Sequence, residues 1–268
     1  MPRVPQAVAC LCCACSPRPQ SRPAATAGTV CKGDTVMQEP INLGRWLGAS
    51  LMATFVLGIS SNFMLQPRLF AGEGLLVNAA AHPLQIGLVT VSGMATSLIS
   101  VWLAALLLRG LGRAQPLLAT AYFALVTAGL AVAVVEYSTL LAFRSLSEHY
   151  QAAGPDPANV YLALKKLLGG LRNGVHFLHV SLGGLSMLLF FCLLLRARLI
   201  PALLGWAGIL ATSTQILAVA PALFGGSVVY PLLAPLALIY LATILWLIWR
   251  GFPAPAPRDG EPLAAAAR

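Results

Sequence analysis

The chain has 268 residues, of which 58% are hydrophobic and only 9% charged, with a formal net charge of +9. An ordinary soluble domain carries roughly 25% charged residues, so this composition excludes a disordered chain and argues against a single soluble domain. The basic excess does not point to nucleic acid as a partner, because the arginines sit mostly at the ends of apolar runs, where they anchor helices and set orientation.

Residues 1–36 are rich in Pro, Ala, Arg and Cys without helical period, and Met37 opens MQEPINLGRW directly ahead of the first apolar run. The segment reads as a disordered or spurious leader, with Met37 the expected start. Cys10, Cys12, Cys13, Cys15 and Cys31 fall within it and Cys192 stands alone in an apolar run, which supports no disulfide framework. Zinc sites space their thiolates more widely and need a second pair opposite. Only Cys31 follows the cluster, so neither a metal nor a lipid anchor is assigned. Arg3 is followed by too short an apolar stretch for a signal peptide.

Six apolar runs follow, near Trp46–Leu65, Pro83–Leu108, Pro116–Phe143, Gly174–Leu195, Pro201–Ala220 and Val229–Trp249. Each reaches the length of about 20 residues that crosses a hydrocarbon core of about 30 Å. The run from Val180 to Leu195 is apolar at nearly every position, leaving no stripe to face water. The expected architecture is an all-α, six-span transmembrane bundle occupying residues 37–251. An even number of crossings puts both ends on one side. From Met37 onward, the ends and even-numbered loops hold Arg45, Arg109, Arg113, Arg196, Arg198, Arg250, Arg258 and Arg268, against Arg68, Arg144, Lys165, Lys166 and Arg172 in the odd-numbered loops. That bias places both termini in the cytoplasm, and a cell inner membrane is the expected location.

The long basic loop from Arg144 to Asn173 carries Val160, Leu162, Leu164, Leu167 and Leu168 after a plausible cap at Asp156 and Pro157 at the first helical position. It predicts a short interfacial helix leading into the fourth span, with Lys165 and Lys166 solvated or meeting lipid phosphates. Gly44 with Gly48, and Gly205 with Gly208 and Ala211, recur at the spacing that lets helices approach closely in lipid. Residues 252–268, with several prolines and an Ala-rich end, read as a disordered tail.

A long apolar helix, a basic turn at Arg196 and Arg198, then Leu199-Ile-Pro-Ala-Leu-Leu-Gly205 and a further apolar helix resemble the bacterial membrane proteins grouped as domain-of-unknown-function family 4386. The closing stretch Trp246-Leu-Ile-Trp-Arg-Gly251 is similar to that family's tryptophan, aliphatic, basic, glycine ending. The resemblance covers roughly Trp46 to Gly251. It implies a fold and a location but no activity. Near Tyr240, where the family pattern suggests an acidic residue, this chain departs from it, so no role of that acid carries over.

Few polar side chains interrupt the runs. Glu136 lies about 9 Å beyond the midpoint of the third, within the roughly 15 Å half-thickness of the core. His179 and His176 lie about 9 Å and about 13 Å from the midpoint of the fourth, toward the same leaflet. Asn62 and Gln215 are displaced the same way, giving a polar layer toward the expected outer face. A carboxylate there needs a partner or a proton, and histidine suits it as an acid-base partner. Glu136, His179, His176, Asn62 and Gln215 therefore form a candidate pocket for a small ligand or a proton. The alternative is that they satisfy one another and hold the bundle together.

His176 and His179, three residues apart, share one helix face, whereas haem needs axial ligands on opposite sides of its ring. Only His82 offers a second side, so no cofactor and no metal are assigned. Phosphate loops, nucleophile elbows and His-Glu-x-x-His are absent, which leaves enzyme status open. The expected function is that of a multi-pass membrane protein that binds or transports a small molecule through its polar layer, with the lipid bilayer as partner. The alternatives are a structural or accessory subunit recruiting another membrane protein and, third, a membrane enzyme.

Overall fold

The computed structural model describes residues 40–153 and 159–253, and every regular element among them is helical. The leader with its cysteines and Met37, the Asp156–Pro157 cap, and the tail from residue 254 onward lie outside the described residues. The elements are α1 (Pro40–Ile59), a π-helical segment (Ser60–Leu65), α2 (Gln66–Phe70), α3 (Leu75–Ala81), α4 (Pro83–Leu111), α5 (Pro116–Ala152), α6 (Asn159–Arg196), α7 (Ala202–Leu223), a 3₁₀ turn (Tyr230–Leu233) and α8 (Ala234–Arg250). Proline opens α4 and α5, where its missing N–H would be unpaired in any case. Arg109, Arg196 and Arg250 close α4, α6 and α8 near the negative end of each helix dipole, and Gly251 ends α8 at a φ of +66°.

Among the described residues, six stretches are long and apolar enough to cross a membrane: 42–70, 83–111, 116–152, 159–196, 202–223 and 230–250. The chain is an all-α, multi-pass membrane protein. The spans pack in a ring that follows chain order, with α1 on α4, α4 on α5, α5 on α6, α6 on α7, α7 on α8, and α8 back on α1.

Two helices outrun their apolar cores. α5 continues past Phe143 to Ala152, and the helix expected ahead of the fourth span continues into it without a break as α6. Hydropathy marks where lipid ends, whereas a helix ends only where its backbone hydrogen bonds do. The extension of α5 is held by Arg144 Nε donating to Glu148 Oε1 at 2.8 Å and by α3, which folds against it. There the Ala80 N–H donates to Ser147 Oγ at 2.9 Å and Gln151 Nε2 donates to the Val77 carbonyl at 3.0 Å. Asn78 Nδ2 closes the preceding loop by donating to the Ala71 carbonyl at 2.7 Å. A small apolar core of Leu69, Leu75, Ala79, Ile86, Val89, Leu140 and Phe143 forms beneath this cap. The larger core, including Leu47, Leu103, Phe190, Phe191 and Leu247, fills the opposite end of the bundle.

The small-residue positions lie at helix contacts. A methyl group on Gly48 would come within 2.8 Å of the Ile248 backbone nitrogen, one on Gly44 would meet the Gly251–Phe252 backbone, and one on Gly208 would strike the Phe191 ring. Phe252 is buried beside Gly44, so the folded body extends past Gly251. Gly48→Leu should force α1 off α8 and cost about 1–3 kcal/mol as overpacking does elsewhere. Thermal unfolding in detergent should register a lower Tm than for Gly87→Leu, whose added Cβ meets open space; equal values would contradict the close α1–α8 approach.

Candidate functional site

Glu136 is 7% exposed on α5, facing α6 rather than the bundle exterior. On α6, His176 and His179 are separated by slightly less than one turn, so both side chains reach the same carboxylate. His176 Nδ1 lies 2.8 Å from Glu136 Oε1 and His179 Nδ1 lies 2.7 Å from Oε2. A carboxylate only accepts. With Glu136 ionised, each contact is a hydrogen bond only when that Nδ1 carries the proton, which leaves each Nε2 of a neutral imidazole as an acceptor.

A cavity of about 350 Å³ opens from this group. Its wall comes from α1, the π segment, α2, α4, α5, α6 and α8. It reaches from Glu136 and Tyr137 to Tyr122 on α5, a distance of about 21 Å at 1.5 Å per residue. His176, His179, Gly183 and Met187 line one stripe of α6, and Ser92, Thr96, Ser100 and Leu103 line one stripe of α4. The mouth is completed by Ser61, Asn62 and Gln66.

The backbone is irregular at this mouth. The π segment places the Gln66 N–H on the Ser61 carbonyl, a five-residue step in place of four. That widened turn brings Ser61, Asn62 and Gln66 to the cavity together, with Gln66 Nε2 donating to Asn62 Oδ1 at 2.9 Å. Behind Gln66, the Arg172 guanidinium lies 4.6 Å over the Phe70 ring, and its Nη2 is 3.5 Å from Gln66 Oε1. The Arg172 Nε is buried with no hydrogen-bond partner among the described residues.

Of the five residues singled out from sequence, Glu136, His176, His179 and Asn62 line this one cavity. Gln215 does not line it. It sits on α7 against Gly184 of α6, 3.6 Å from the position of an added Cβ, because equal depth does not fix the direction a residue faces around its helix. His82 lies between α3 and α4, away from the cavity lining. Sequence reasoning missed the hydroxyl stripe of α4, although Ser92, Thr96 and Ser100 at steps of four display it as helical period in small polar residues. It also missed Tyr122 and Tyr240. Tyr240, at the position where the family pattern suggests an acid, faces the far end of the cavity.

Gly93 has a specific steric role. A Cβ there would collide with the hydroxyl end of the Tyr137 side chain, so glycine is what lets that end reach α4.

Spans closed in a ring about a cavity with a polar mouth define a multi-pass membrane protein with an internal cavity. The chain belongs to the domain-of-unknown-function family DUF4386, whose profile matches residues 46–251. No curated protein and no solved structure matches the chain.

Glu136→Ala should leave both imidazoles without their shared acceptor, at about 1–3 kcal/mol per stranded donor. Its Tm in detergent should therefore fall further than that of His176→Ala or His179→Ala, and the two histidine substitutions combined should be non-additive. Equal, additive effects would show that the three groups do not act as one network.

Proposed function

We propose that the protein binds or transports a small molecule inside the bundle, with the molecule's polar end at Glu136, His176 and His179 and the remainder directed toward Tyr122 and Tyr240. The observation that carries this reading is that the buried acid and both its histidines open onto a cavity rather than onto packed side chains. A trio whose role was only to hold helices together needs no such void beside it. The π segment supports the same reading, since irregular backbone in a membrane-crossing helix is tolerated where it lines a cavity.

The accessory-subunit reading has one feature in its favour, an open apolar groove between α7 and α8 lined by Leu203, Ala207, Ile239 and Trp246. Lipid chains fill such grooves without a protein partner, so the internal cavity carries more weight. Both termini are assigned to the cytoplasmic side of an inner membrane from the basic residues at the α4–α5 and α6–α7 turns and beside the two ends. A reporter fused after Arg268 that is active only in the cytoplasm should be active, and one active only outside should be silent. The reverse pattern would invert the bundle and place the Glu136 mouth on the cytoplasmic face.

Gly183 supplies a direct test. It lines the cavity, and a Cβ there meets no heavy atom within 4 Å. Gly183→Leu should fill the cavity while keeping the fold, and its Tm should hold or rise because leucine favours the helix by up to about 1 kcal/mol over glycine. Native mass spectrometry of detergent-extracted wild type should show a bound small molecule that Gly183→Leu lacks. An identical bound fraction in both proteins, or an empty wild type that gains none from a membrane extract, overturns the reading.

A further inference from the structure

We propose that the cavity selects a cation rich in hydrogen-bond donors, a protonated organic amine carrying an apolar tail. The proposal rests on the binding reading above and names the chemical class that site takes. Three independent features of the lining carry it. The first is charge: among the described residues the lining contains no lysine or arginine, and Glu136 is its one carboxylate. Arg172 stacks over Phe70 behind Gln66 and does not line the space, so its charge acts on Glu136 from outside the cavity wall. In a medium of low dielectric a carboxylate at the wall itself attracts a cation and repels an anion more strongly than it would in water.

The second feature is hydrogen-bond polarity. Each Ser or Thr hydroxyl has one hydrogen to give. Ser92 donates its hydrogen to the Val89 carbonyl at 3.1 Å, Thr96 to Ser92 at 2.8 Å, Ser97 to Gly93 at 3.0 Å, Ser100 to Thr96 at 2.9 Å and Ser186 to Leu182 at 2.8 Å. With those hydrogens committed to their own helices, the five hydroxyls present only lone pairs to the cavity. Each imidazole whose Nδ1 proton goes to Glu136 and whose Nε2 carries none adds a further acceptor. An ammonium group supplies up to three donors and no acceptor, which is the complement of this wall. Along these faces of α4 and α6 a carboxylate or phosphate would meet acceptors without partners, the amide donors being confined to Asn62 and Gln66 at the mouth.

The third feature is the apolar side of the lining. Opposite the hydroxyls the wall carries Leu130, Val126, Leu103 and Met187, which favours an alkyl or aryl tail over a hydrated metal ion. Tyr137, pressed beside Glu136 through the gap at Gly93, presents a ring to the same end and is suited to cation–π contact.

The test compares three probes of equal chain length, decylamine, decanoate and decanol, titrated into the full-length protein in non-ionic detergent at neutral pH. Decylamine should bind at least about tenfold more tightly than either of the others, a difference of about 1.4 kcal/mol. Glu136→Gln should remove that preference, and Gly183→Leu should weaken binding of the amine whatever its charge contribution. Where Glu136→Gln fails to fold, the comparison of probes on the unaltered protein still decides the matter. Decanoate or decanol binding as tightly as the amine, and competing with it, overturns the cation assignment but leaves the binding site standing. Failure of all three to bind, with Gly183→Leu indistinguishable from wild type, overturns both.

Discussion

A carboxylate placed within a membrane-crossing helix must be kept away from hydrocarbon, and the organisation of this bundle around Glu136 answers that constraint. An ionised group at a helix centre costs about 2.5–3.5 kcal/mol on the insertion scale, and less toward the interface. α6 meets the need from a single face by setting two histidines three residues apart, so both carboxylate oxygens are engaged within 2.8 Å. The arrangement fixes the rotation of α5 against α6, and through Gly93 and Tyr137 it fixes α4 as well. The capping helices α2 and α3 then close over the same end, burying Leu69 and Ala79 completely.

Much of this was legible in the amino-acid sequence, because membrane solvation leaves a coarse and strong imprint. Six runs of about the right length, arginines at their ends and glycines at helix-packing spacing led directly to the six-span bundle, though not to the ring order of its helices. The link between Glu136 and the two histidines was legible for a different reason. Intramembrane polar groups are few, and adjacent antiparallel spans bring groups at equal depth to within reach of each other. That argument worked for residues on α5 and α6, which pack together, and did not extend to Gln215. The residue shares the depth, but α7 stands on the far side of α6 and turns Gln215 toward Gly184. Depth is one-dimensional, whereas a pocket also needs direction around each helix axis, and apolar runs carry little periodicity from which to read it.

The remaining surprises were features of backbone and hydrogen bonding rather than of residue type. No composition rule distinguishes the π segment at Ser60–Leu65 from an ordinary turn, yet that widened turn brings Ser61 and Asn62 to the mouth. The continuity of α6 from Asn159 to Arg196 was similarly hidden, since its basic first part reads as a separate interfacial helix, and Gly169, Gly170 and Gly174 do not interrupt it. In an apolar setting the intrahelical hydrogen bond outweighs glycine's propensity cost of about 1 kcal/mol. The serine and threonine stripe of α4 belongs with these, because its meaning lies in where the hydroxyl hydrogens go and not in its polarity.

The central claim is that Glu136 faces an internal, ligand-sized space in the company of His176 and His179. The most direct measurement is a high-resolution cryo-electron microscopy map of the protein in lipid nanodiscs. It should show the carboxylate within hydrogen-bond distance of both imidazoles and elongated non-protein density running from it toward Tyr240. A map in which Glu136 points into lipid without a polar neighbour, or in which packed side chains fill the volume between Glu136 and Tyr122, would contradict the account.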